Sequence, residues 1–173
     1  MSPQITRRPA EHAVAVLNDV YRYRLTRTWD QALPRALWVM LNPSTADALV
    51  DDPTIRRVRS FTIAAGCGGF EVVNLFALRA TNPWALFAAQ DPVGPDNTMH
   101  IHAAVAQTNG PIIVAWGAHP AARGALQGGL SVAETTIEML PQERLRCLGR
   151  NVHGSPRHPL YVSATQSLVP FIP

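Results

Sequence analysis

Three short, almost continuous apolar runs set the rhythm of the chain: Leu37 to Leu41, Phe70 to Leu75, and Pro111 to Trp116. The first closes in Asn42-Pro43-Ser44, and short apolar runs bounded by turn residues are the pattern of strands buried on both faces. Upstream, Tyr21, Tyr23 and Leu25 alternate with Arg22, Arg24 and Thr26, which predicts a half-exposed strand at a sheet edge. Trp29 to Pro34 reads as the turn after it. Between the first two runs, Asp51-Asp52-Pro53-Thr54 precedes Ile55, Val58, Thr62 and Ala65 at helical spacing, with Gly66 as the stop. A second helix is predicted from Asp96 or Asn97 to about Gln107, and a third from Ala118 to Gly128. Leu145 to Leu148 reads as a fourth core strand, and Leu160 to Val162 as a short extended piece.

Buried strands alternating with helices predict an α/β fold, a three-layer α/β/α sandwich with a mostly parallel central sheet. Neither an internal repeat nor a long linker divides residues 1–173, so one domain is expected. In sheets of this kind ligands sit beyond the carboxyl ends of the strands, where loops converge and helix N-termini point their free N–H groups. The polar residues gather there. Asn42 ends the first core strand, with Ser44, Thr45 and Asp47 just beyond. Asn74 lies at the end of the second, leading into Phe76, Arg79, Thr81 and Asn82. Trp116-Gly117-Ala118-His119 follows the third, and His153-Gly154-Ser155-Pro156-Arg157-His158-Pro159-Leu160 the fourth.

Composition narrows the chemistry. The 173 residues contain no lysine, so the formal charge of +3 rests on fifteen arginines against twelve carboxylates. Lysine Schiff-base chemistry and a phosphate-loop lysine are thereby excluded. So modest a charge permits contact with phosphates without diagnosing it. Cys67 and Cys147 are the only cysteines and are far apart in sequence, which leaves no thiolate zinc or iron-sulfur site and suits two reduced thiols. His100 and His102, two apart on a helix, point in different directions and lack an acidic or thiol partner nearby, so no metal is expected. No cofactor is called for. No run reaches the length of a membrane span and no secretion signal opens the chain, so a cytoplasmic location and no membrane partner are expected.

The blocks Asn42-Pro43-Ser44-Thr45-Ala46, Asp52-Pro53-Thr54, Val72 to Thr81 and Gly154 to Tyr161 resemble the hallmark blocks of a bacterial family known only as a domain of unknown function. The same blocks bear an ordered resemblance to the uracil-DNA glycosylase superfamily. Met40-Leu41-Asn42-Pro43-Ser44 is similar to its first motif, where an Asn or Asp orients the attacking water. Val72-Val73-Asn74 resembles the strand whose Asn reads the base edge. Ile113 to His119 is similar to the step before the last motif, and His158-Pro159 to the His-Pro that opens that motif. Met40 and Ser44 stand where glycines are usual. Leu160 follows His158-Pro159 without the intervening Ser-Pro, which argues against entry into a double helix. The cysteines of the iron-sulfur branches are missing, which rules those branches out.

The resemblance implies hydrolysis of a nucleobase N-glycosidic bond, in single-stranded nucleic acid or a free nucleotide or nucleoside. Asn42, His158 and Asp47 would be catalytic, with Asp51 or Asp52 as alternative bases. Ser44, Thr45, Asn74, Phe76, Arg79, Trp116, His119, His153 and Arg157 would bind substrate. The alternative is a noncatalytic nucleotide or modified-base binder on the same fold. Each residue also has a plainer role open to it: helix capping for Asp52 and Thr54, a core hydrogen bond for Asn74, core packing for Trp116, an ion pair for Arg79, a cap for His119. Arg56, Arg57 and Arg59 are expected on the solvated face of their helix. Oligomeric state is left open.

Overall fold

A computed structural model describes residues 12–44, 46, 50–124 and 130–173. Within them, strands β1 (His12–Leu17), β2 (Arg22–Thr28), β3 (Arg35–Met40), β4 (Gly69–Asn74), β5 (Ile112–Val114), β6 (Leu145–Cys147) and β7 (Val169–Pro170) form one sheet in the order β1-β2-β4-β3-β5-β6-β7. The helices are α1 (Pro53–Ala64), α2 (Asn97–Gln107) and α3 (Val132–Glu138).

The chain is thus an α/β protein, but the sheet is mixed rather than mostly parallel. Only β4-β3-β5-β6 run parallel. The β1-β2, β2-β4 and β6-β7 pairings are antiparallel. The parallel block is where the apolar runs lie: five of the six residues of β3 and all of β4 and β5 are buried. The flanking strands were harder to foresee. β2 is not an edge strand, because β1 pairs along its whole length, and Arg22 and Arg27 are buried in it beside Tyr23 and Leu25. β1 mixes exposed and half-buried positions, and β7 is two residues long.

Two apolar clusters cover the sheet. Ile55, Val58 and Phe61 of α1 pack with Trp38, Met40, Phe70 and Val72. Ile101 and Ala104 of α2 and Val132 and Ala133 of α3 pack with Leu37, Val39, Val73 and Val114. Asp52 caps α1 by accepting the Ile55 N–H at 2.8 Å, and Pro53 occupies a first-turn position where its missing N–H costs nothing. α3 lay in a stretch with no predicted helix. It begins in a capping box, the Ser131 hydroxyl accepting from Glu134 N and the Glu134 carboxylate from Ser131 N.

The helix expected from Ala118 to Gly128 is a short 3-10 turn at Pro120–Arg123, capped by Gly124; residues 125–128 lie outside the described ones. The piece expected to be extended at Leu160 to Val162 begins in another 3-10 turn, Pro159–Tyr161. In both places the sequence reads His-Pro, and proline fixes the φ of a tight first turn. Among the described residues no helix is long and apolar enough to cross a membrane.

Candidate functional site

Beyond the carboxyl ends of the parallel strands opens a cavity of about 810 Å³. Register explains its walls. Met40 and Asn74 are partners across β3 and β4, so Asn74 and, two residues beyond Met40, Asn42 both reach this end of the sheet and line the cavity. The Ala115 N–H bonds to Val39 O, which carries Trp116 and Gly117 to the same edge. β2 runs antiparallel to β4, so it is the start of that strand that lies here. Arg22 therefore lines the cavity, donating to the Ala46 carbonyl.

Asn42, Ser44, Asn74, Trp116, His119, Arg157 and His158 all line this one cavity. Three other expected residues do not. Phe76 is buried in the core cluster under α2; Arg79 is fastened by its N–H to Val20 O beside β2; His153 is exposed in a turn. Thr45 and Asp47 lie outside the described residues. The walls also contain Asp52 and Thr54 from the start of α1, Thr81, Asn151 and Tyr161. Asp51 instead pairs with Arg27 at 2.8 Å.

The polar groups of this site are unevenly satisfied. The Asn42 amide nitrogen donates to Ala80 O at 2.8 Å and Pro43 O at 3.1 Å. Two carbonyl partners fix the amide orientation, so what Asn42 has left to offer is its Oδ1, an acceptor. Asn74 is only 2% exposed, and its Nδ2 has no hydrogen-bond partner. Such a buried donor ordinarily costs about 1–3 kcal/mol.

The two histidines are built alike. Each stands before a proline and caps a 3-10 turn, and each Nδ1 accepts a backbone N–H two residues on at 3.3 Å, from Ala121 for His119 and from Leu160 for His158. A ring that accepts at Nδ1 carries its proton on Nε2 when neutral. Burial lowers the pKa of both. His158 is pushed down to about 4, against a smaller upward pull from the Asp52 carboxylate. Both rings are thus neutral near pH 7 and present an Nε2–H, and that of His119 is buried without a partner.

His158 is held from several sides. Arg157 N donates to Gly149 O, Gly117 N to Pro156 O, and the Asn151 side chain to Ser155 Oγ and Pro156 O. Gly117 has φ +80°, and a Cβ there would come 3.2 Å from the His158 Cβ, so glycine lets β5 approach the imidazole closely. Arg57 does not simply face solvent: it reaches from α1 to Pro159 O at 3.2 Å and Val162 O at 2.7 Å and lies over the Phe61 ring. That reach clamps the segment after His158. His100 stacks on Tyr23 at 4.6 Å, and among the described residues no group of three or more His, Cys, Asp or Glu is placed to hold a metal ion. Cys67 and Cys147 are free and buried, their thiol pKa values raised by that burial.

Neither the curated proteins nor the solved structures yield a match. A family model described as "Protein of unknown function (DUF1643)" matches residues 22–160, and the chain belongs to that family.

Proposed function

We propose that this DUF1643 protein is a glycosylase-like hydrolase acting on a nucleobase N-glycosidic bond, on a three-layer scaffold like that of the uracil-DNA glycosylases. The observation that carries the reading is Asn74 Nδ2, a donor without a protein partner, in the wall of a cavity shared with Asn42 and His158. A buried donor left unpaired by the protein, in a cavity wall, is available to an acceptor on a ligand. Asn74, His119 and His158 present N–H groups and Asn42 a carbonyl, a set suited to a flat ring bearing carbonyl oxygens.

In this mechanism the C1′–N bond breaks with its electron pair moving onto the base, and water adds to C1′. The proton released by that water ends on the departing base. The charge grows in the ring system, so preorganised donors contribute more than nucleophilic force. A neutral His158 N–H directed at the developing oxyanion is worth about 3 kcal/mol, roughly a hundredfold in rate. Asn42 Oδ1 orients the water, with its NH2 already held by the Ala80 and Pro43 carbonyls. Asp52 is the one carboxylate among the described residues of the cavity wall and is the candidate to accept a proton.

One observation favours a binder without turnover. The Asp52 side chain already caps α1, which weakens it as a base. Incubation with oligonucleotides and nucleosides carrying uracil, hypoxanthine or alkylated bases, followed by hot alkali or chromatography, separates the readings. Hydrolysis predicts abasic sites or free base, lost in Asn42→Ala and His158→Ala. Tight base binding with no product across the panel selects the binder. Because the chain has no lysine, strand scission without alkali is not expected.

A further inference from the structure

Only three aromatic side chains among the described residues are strongly exposed: Tyr161, which lines the cavity, and Trp84 and Phe87, which pack on His119, itself a lining residue. Trp84 and Phe87 are 60% and 57% exposed, and Tyr161 is 82% exposed. Trp84 lies 4.9 Å and Phe87 5.9 Å from the His119 ring, with 5.6 Å between the two of them. Tyr161 lies 5.5 Å from the ring of His158. Each of the two histidines that cap these turns and line the cavity thus has an exposed aromatic ring packed beside it.

These rings sit on braced backbone. Trp84 and Phe87 belong to the 3-10 turn Pro83–Phe87, capped by the Asn82 side chain at 3.1 Å from Trp84 N and anchored by buried Leu86. Pro83 itself lines the cavity. Tyr161 ends the turn that Arg57 clamps. Exposing large aromatic faces costs free energy in water, and a cluster of them beside a cavity marks a place where something flat is covered.

We infer that the mouth is a track for single-stranded nucleic acid, in which bases flanking the one in the cavity stack on Trp84–Phe87 on one side and Tyr161 on the other. The inference rests on the reading of the cavity as a nucleobase site and narrows its substrate from free nucleosides to a polymer. Charge agrees with it. Arg157 is exposed at the rim with its Nε held by Arg150 O, a placement suited to a phosphate of the strand. Aromatic platforms flanked by arginine are the general means of holding a single strand without reading its sequence.

The test is fluorescence polarisation of a short labelled single strand, beside the same strand made entirely of abasic residues and beside free mononucleotides. The full strand is expected to bind more tightly than the mononucleotide, and the abasic strand to lose that advantage. Tyr161→Ala and Phe87→Ala should each weaken strand binding by about fivefold or more relative to mononucleotide binding, and Trp84→Phe should keep most of what Trp84→Ala loses. Equal affinity for strand and mononucleotide overturns the inference, as do variants that bind the strand like the parent. So does a dimer that the same substitutions dissociate, which would assign the patch to a second copy of the chain. Asn74→Leu separates the two layers. Strand binding that needs Trp84, Phe87 and Tyr161 but ignores Asn74 defeats the nucleobase reading of the cavity, whereas mononucleotide binding that needs Asn74 with no gain from a strand defeats the track alone.

Discussion

Glu71 and Asn74 lie three residues apart on the same strand, both almost fully buried, and the protein treats them in opposite ways. By strand alternation Glu71 shares the face of Val73, and Asn74 that of Val72. The Glu71 carboxylate is 0% exposed; its Oε1 accepts from Arg24, and its Oε2, without a hydrogen bond, is balanced by the Arg35 guanidinium 3.8 Å away. Arg24 is tied in turn to Gln107 at the end of α2. Asn74 has no such partner for its amide nitrogen. The contrast separates a carboxylate neutralised by two guanidinium groups inside the fold from an amide nitrogen that no protein group meets and that lines the cavity, and only the second is placed to recognise a ligand.

The largest effect of breaking this contrast is expected at Glu71. Glu71→Ala leaves two arginines facing an apolar strand, and loss of one partner of a buried ion pair costs about 3–5 kcal/mol. Both guanidinium groups keep some contact with water, so the lower end of that range is expected, read as a fall in the urea midpoint. The nucleobase affinity of the remaining folded protein should be unchanged.

Next comes the pH response of the cavity side. His158 is lowered from 6.5 to about 4 in the folded chain. As pH falls through that window the unfolded chain takes up the proton first. Its contribution to stability is therefore complete above about pH 6.5 and is lost towards pH 4, at most about 3 kcal/mol. Protonation of Nδ1 also ends its acceptance of the Leu160 N–H. Urea unfolding at pH 7 and pH 5 should differ less in His158→Gln than in the parent. An equal difference in both would assign the acid sensitivity to other groups.

A smaller effect is expected at Gly117, where φ is +80°. Gly117→Ala should cost about 1–2 kcal/mol for the left-handed backbone. The added methyl also meets His158, so base binding should fall more than stability alone explains. Unfolding and binding measured on the same sample check both parts.

How far the residues themselves foretold this arrangement depends on which interactions are local. The apolar runs of β3, β4 and β5, the cap of α1 and the extents of α1 and α2 are written in neighbouring positions, and they were legible; the cap expected for α2 is not made, because Asp96 forms no side-chain cap hydrogen bond and Asn97 donates to Asn74 O and Leu75 O. β1 and β7 lack a distinctive pattern because one is largely exposed and the other is two residues long. β2 was misplaced because its arginines read as solvent-facing, whereas Glu71, Asp51 and the Ala46 carbonyl receive them inside the fold.

The same division holds at the site. Strand ends announce Asn42, Asn74, Trp116 and the two His-Pro steps. Arg22 comes from an antiparallel strand, so its place at this edge depends on a pairing that no local pattern encodes. Phe76 and Arg79 follow Asn74 closely, but the chain turns away after Leu75. The Ser131-to-Glu134 spacing was a usable signal for α3, and the His-Pro steps were usable signals for short turns in place of a longer helix.

The smallest change in stability is expected where the change in function is greatest. Asn74→Leu replaces an unpaired buried amide by an apolar group of similar shape, so unfolding free energy should stay within about 1 kcal/mol of the parent or rise. Calorimetric titration of the same variant with nucleobases should show binding abolished. A drop of several kcal/mol in stability with nucleobase binding intact would mean that Asn74 serves the fold, and would contradict the account at its centre.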